Sequence, residues 1–195
     1  MNEPTRVPGF APSDPTDGRD VLDWTSRYSD PAARREINRE AAYLGVLLVL
    51  IPAGLLALWL EGIRFWLSIP PAKYTAVVKY GVAWLSGTLG GTLFSLKWLY
   101  HVVARGLWNI DRRLWRVFTP HISGGLAFAV AALVSSGVFK VFDRSALNSL
   151  SMTVGLSFLV GYFSDSAIAK LSELAETLFG SSHAKARRVR AQKKG

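Results

Sequence analysis

The side chains able to do chemistry are few, and most of them fall on one pattern. Ser149, Thr153, Ser157 and Gly161 recur at four-residue spacing, with Asn148 at one end and Asp165 at the other. A polar stripe of this kind on a membrane helix has two readings. It packs against neighbouring helices, or it lines an aqueous path around an axis shared by several copies. In the second reading Asn148, Ser149, Thr153 and Ser157 face the path, and Asp165 at its mouth attracts cations. His101 and His121 lie near helix ends, where interfacial packing is the first expectation and proton handling the second. The chain has no cysteine, no HExxH pair, no GxxxxGK loop and no GxSxG elbow. No catalytic residue, metal site or cofactor is therefore expected, and an enzyme is not the reading.

A second set of residues suits close helix contact. Gly87, Gly91 and Ser95 share one row, Ala127 and Ala131 another, and Gly161 closes the stripe just described. Small side chains let backbones approach where lipid supplies no hydrophobic drive for association. A third set is cationic. Arg112, Arg113 and Arg116 punctuate an apolar stretch, and Lys185, Arg187, Arg188, Arg190, Lys193 and Lys194 crowd the C-terminal tail. Lysines and arginines beside a membrane attract anionic headgroups at on the order of 1 kcal/mol each. The same cluster suits an acidic cytoplasmic protein; nucleic acid is the weaker alternative.

The elements that must position these residues follow from hydropathy. Half of the 195 residues are hydrophobic, and they are gathered into runs, while the formal charge of +9 sits between and after the runs. The runs predict an all-α, polytopic membrane protein with four transmembrane helices near 41–60, 76–100, 117–139 and 145–164. Each is about 20 residues or more, enough for the roughly 30 Å hydrocarbon core. No ionisable residue is expected to be buried at membrane depth. Pro52 predicts a kink in the first span.

Residues 1–31, with five prolines, read as a flexible cytoplasmic arm. Asp30-Pro31 marks a helix start. Residues 107–118 read as an interfacial helix, with Thr119-Pro120 beginning a new one. Residues 165–180 form a cytoplasmic amphipathic helix ahead of the polybasic tail, 181–195. Basic residues outnumber those of the opposite loops before the first span, between the second and third, and after the fourth, which places both termini in the cytoplasm.

The stretch Gly161-Tyr-Phe-Ser164-Asp165 leading into Ser166–Gly180 resembles the end of the last span in small uncharacterised bacterial multi-helix inner-membrane proteins. The resemblance covers about a tenth of the chain. It implies a bacterial inner membrane, a homo-oligomer and, by analogy with some such proteins, a membrane-acting effector of phage defence, and it transfers no residue beyond Gly161, Ser164 and Asp165. The leading expectation is thus a homo-oligomeric inner-membrane protein that forms or gates an ion-permeable path. The competing one is a scaffold or anchor recruiting a cytoplasmic partner through its basic loop and tail. A small transporter ranks last, since neither buried charge nor an internal repeat is visible.

Overall fold

In a computed structural model, residues 25–137 and 149–180 are described, apart from the side chains of Leu178 and Phe179. All elements among them are helical: α1 (Pro31–Trp59), α2 (Gly62–Trp66), α3 (Pro71–Ala104), a 3-10 turn (Ile110–Arg112), α4 (Arg113–Ser136), α5 (Leu150–Tyr162) and α6 (Ser164–Phe179). The α1 start is the expected one. Asp30 accepts from the Ala32 amide at 2.9 Å, with Pro31 in the first turn, where its missing N–H costs nothing.

α1, α3, α4 and α5 alternate in direction. The start of α1 meets the start of α4 and the end of α3 at one pole, through Tyr43 to Val117 and Tyr28 to Val102. At the other pole Tyr74 of α3 donates to the Leu58 carbonyl of α1 at 2.6 Å. The first pole carries Arg34, Arg35, Arg39, Lys97, Arg105, Arg112, Arg113 and Arg116, and is called the cationic pole below.

Two stretches, Pro31–Trp59 and Ile110–Ser136, are long and apolar enough to cross a membrane. The α5–α6 pair, bent by 95° at Phe163, counts as a third if taken as one broken span. The second expected span, 76–100, departs from this. α3 is the longest helix at 34 residues, but its Gly, Ser and Thr content leaves it outside the apolar set. The reason is positional, because α3 packs against α1, α4 and α5 and its small polar residues are buried among helices. α1 shows the reverse arrangement, with Val49, Leu50 and Leu56 exposed along its outer side as lipid-facing residues would be.

Three expected boundaries move. The interfacial helix 107–118 does not form as a unit. Gly106, at φ +71°, ends α3 with Leu107 N–H on the Val102 carbonyl and its own N–H on Val103, a left-handed cap that glycine adopts without strain. After a short connection, α4 runs unbroken from Arg113 through Thr119-Pro120. Proline at a helix start and proline inside a membrane helix look alike in sequence; here the Thr119 hydroxyl turns back to the Trp115 carbonyl at 2.7 Å and Pro120 is buried. The span expected at 145–164 is a helix only from Leu150 to Tyr162, about 20 Å long, residues 145–148 lying outside the described set. α6 is amphipathic as expected, and its Leu171 packs back against the Ala83, Val130, Ala131 and Val134 cluster of the bundle.

Close approach holds the centre together. A Cβ on Gly87 would meet Ala127 Cβ and the Ser123 carbonyl of α4; one on Gly161 would meet the Gly87 backbone itself, all well inside 3.0 Å. Gly90 meets the Phe158 carbonyl and Tyr162 nitrogen of α5 in the same way, and Gly91 meets Ser123. Three helices thus converge on one glycine. The substitution Gly161→Ala is expected to destabilise the bundle by about 1–3 kcal/mol through overpacking, whereas Gly155→Ala, with open space around it, causes no loss. Thermal unfolding of the detergent-solubilised variants separates the two, and equal stabilities would count against this packing.

Candidate functional site

The sequence predicts no ionisable residue at membrane depth; at the edges of the apolar runs, at the cationic pole, one ion pair is nonetheless buried within the protein. Glu40, at the last position before the first apolar run, and Arg116, in the first turn of α4, are each 1% exposed. Arg116 Nε donates to Glu40 Oε1, and its Nη2 to Oε2 at 3.1 Å and to the Asn109 carbonyl at 3.4 Å. Trp108 Nε1 adds a donor to Glu40 Oε2 at 3.0 Å. The carboxylate therefore accepts three hydrogen bonds, which is how a charge is kept out of water without being stranded. Leu44, Leu99 and Val102, joined by Ala41 and Trp108, form the apolar wall beside it.

Arg116 was expected among headgroup-binding residues; its place in this pair removes it from that role. Arg113 is half committed as well, paired with Glu36, which also holds Arg39 at 2.5 Å. Glu36 and Glu40 stand one helical turn apart on α1, and Arg113 and Arg116 nearly one turn apart on α4. A two-rung ion ladder results. Tyr28, before α1, completes the clamp: its hydroxyl donates to the Val102 carbonyl at 3.3 Å and accepts from the Trp108 amide at 3.1 Å.

Beside the ladder lies a cleft of about 490 Å³ between the end of α3, the connection after it, and the end of α5. Phe94, Trp98, Tyr162 and Phe163 supply apolar and aromatic walls, and Lys97, His101, Arg105 and Arg112 supply the polar ones. Phe94 makes edge contacts with Tyr162 and Trp115 at 6.0 Å between centroids, which fixes the walls. Lys97 Nζ lies 3.5 Å from the Tyr162 hydroxyl. Among the described residues no ion pair includes Lys97, Arg105 or Arg112. A smaller recess of about 300 Å³ continues past Trp98 and Arg112 to Trp115.

The remaining candidates sort as follows. Thr153 and Ser157 are buried inside the single chain, with Gly161, rather than turned outward to an axis between copies. The stripe is used for packing because its small side chains sit where the α3, α4 and α5 backbones come closest. Ser149 and Asp165 are exposed at the two ends of α5. Gly87, Gly91, Ser95, Ala127 and Ala131 are all buried. Asn148 and the tail residues Lys185, Arg187, Arg188, Arg190, Lys193 and Lys194 lie outside the described residues. His121 Nε2 pairs with the Tyr43 hydroxyl at 2.6 Å and so ties α4 to α1. Three or more His, Asp or Glu side chains gathered to hold a metal do not occur among the described residues.

Removing one member of the buried pair, as in Glu40→Met or Arg116→Met, is expected to cost about 3–5 kcal/mol by stranding the other charge. The double substitution should recover most of that loss. Denaturant unfolding in detergent reads both, and a double variant as unstable as the worse single one would show that the pair contributes more than mutual compensation. Comparisons with protein-family models, curated proteins and solved structures find no match to this chain, and the resemblance at 161–180 gains no support from them.

Proposed function

We infer that the chain is a multi-pass membrane protein in which the three long helices α1, α3 and α4, with the bent α5–α6 pair as a fourth span, cross a bacterial inner membrane with both termini cytoplasmic, and that it serves as an anchor presenting its cationic pole to a cytoplasmic partner. The topology follows from the sorting of charge. Arg27 and eight further arginines and lysines gather at one pole, against Arg64, Lys73 and Lys79 toward the other. The observation that carries the anchor reading is the closure of the polar stripes. Thr153 and Ser157 are consumed in packing within one chain, leaving the rigid, charged pole as the surface with chemistry to offer. That pole is built by long-range contacts joining the segment before α1, α1 itself, the end of α3, the α3–α4 connection and α4, which is more structure than a passive membrane tether requires.

Removal of residues 1–24, which leaves Tyr28 and Asp30 in place, or of 181–195 is the test. The anchor reading expects loss of partner co-purification from crosslinked cells while membrane insertion is retained, and reporter fusions at both ends active only in the cytoplasm. Partner recovery unchanged by either deletion would sink it.

The competing reading, a homo-oligomer that forms or gates an ion-permeable path, is favoured by one observation: the hydroxyls of Ser86, Ser95 and Ser123 are buried with no hydrogen-bond partner. Unpartnered hydroxyls between helices are where a water file would gain most. It expects ion flux from proteoliposomes that falls severalfold in a Ser86→Ala, Ser95→Ala, Ser123→Ala triple variant. Absence of flux from oligomeric protein would dismiss it.

A further inference from the structure

We propose that the cleft at the cationic pole is a binding site for one anionic phospholipid, with the phosphate held by Lys97, Arg105 and Arg112 and the adjoining apolar part of the lipid against Phe94, Trp98 and Phe163. This rests on the membrane placement just given, and goes beyond it by assigning a discrete site rather than a diffuse charged surface.

The first support is charge accounting. Every arginine on the neighbouring ladder has a carboxylate: Arg39 and Arg113 share Glu36, and Arg116 holds Glu40. The three cations of the cleft have none among the described residues, although they come from two separate stretches of chain. Cations brought together around a concavity repel one another, and the fold tolerates this best when an anion of external origin sits between them.

The second support is the pairing of cations with aromatic walls. A free phosphate needs donors alone. A lipid needs donors next to apolar surface at the boundary of the hydrocarbon, and the cleft provides this, with Trp98 and Trp115 running on from Arg112 into the second recess. Tryptophan and tyrosine are the side chains that favour headgroup depth. The volume of about 490 Å³ is in the range of small-molecule sites, so a headgroup with its glycerol fits inside while acyl chains extend along the helices. Three cations favour a lipid carrying more than one negative charge, and basic pockets between membrane helices on the cytoplasmic side bind such headgroups.

The test uses the full chain in a nonionic detergent, titrated with phosphatidic acid, with phosphatidylcholine of the same acyl chains, and with inorganic phosphate, and read by native mass spectrometry. One saturable phosphatidic acid adduct is expected, displaced by neither of the other two. Arg105→Gln with Arg112→Gln should weaken it on the order of tenfold to thirtyfold. Both side chains are exposed, so folding should persist, as a melting curve will verify. Arg35→Gln with Lys73→Gln removes equal charge elsewhere and should leave the adduct unchanged. Equal binding of phosphatidylcholine, displacement by phosphate, or equal loss in the control variant would each overturn the site. Failure of the site in a chain that still inserts in membranes leaves the anchor reading standing, whereas a chain monodisperse without detergent removes both.

Discussion

The Glu40–Arg116 pair is the constraint on which the cationic pole depends. Two full charges removed from water are tolerable only if each finds its counterion and its hydrogen bonds in a fixed geometry, and an error there costs more than most packing errors. Satisfying the pair recruits partners from elsewhere. Trp108 must bring its indole N–H to Glu40 and Asn109 its carbonyl to Arg116, so the connection after α3 must fold under the pole. That in turn requires the chain to reverse sharply at Gly106, where a left-handed residue is needed. The cleft inherits its shape from this, since Arg105 and Arg112 bracket the same connection.

Below the pole the governing constraint is backbone proximity. Gly87 touches α4 on one side and α5 on the other, so a single residue sets the spacing of three helices. The consequence is an inverted distribution of polarity. Buried Ser and Thr cluster on α3 and α5, with hydroxyls returned to their own helix where possible, as Thr92 does to Thr88 and Thr153 to Ser149. The exposed valines and leucines of α1 meet what surrounds the bundle. In water that distribution would be unfavourable; in lipid it is the one that leaves no polar group unsatisfied against hydrocarbon. It also explains why the helix at the centre falls outside the set apolar enough to cross a membrane by composition.

The small-residue spacing was legible in the sequence because close helix packing is a local pattern that repeats along one helix face. Asp30-Pro31 was legible for a similar reason, a cap being a matter of adjacent residues. Glu40 was not, because its partner is 76 positions away and each residue lies at the edge of an apolar run, where a charge ordinarily reads as reaching outward to solvent or headgroups. Thr119-Pro120 misled because a proline carries the same sign whether it starts a helix or interrupts one that neighbours hold together. The cleft is not legible in the sequence because it draws on three separate stretches, and only Arg112 of its cations falls in the basic cluster of the connection.

Pairing also changes what the positive charge of the pole means. Arg39, Arg113 and Arg116 stand against Glu36 and Glu40, three cations against two anions, so the ladder is nearly neutral and its field falls away within a short distance. Summed charge would assign the whole row of arginines to partner attraction. Resolved into pairs, Arg113 and Arg116 hold α1 to α4 and Arg39 shares Glu36, while Lys97, Arg105 and Arg112 stand beside aromatic walls with no ion pair among the described residues. A cation with a low-dielectric wall behind it attracts an anion more strongly than the same cation on an open surface. In the proposed site an external anion would therefore meet these three side chains, while Arg113 and Arg116 join α1 to the helix that follows the connection.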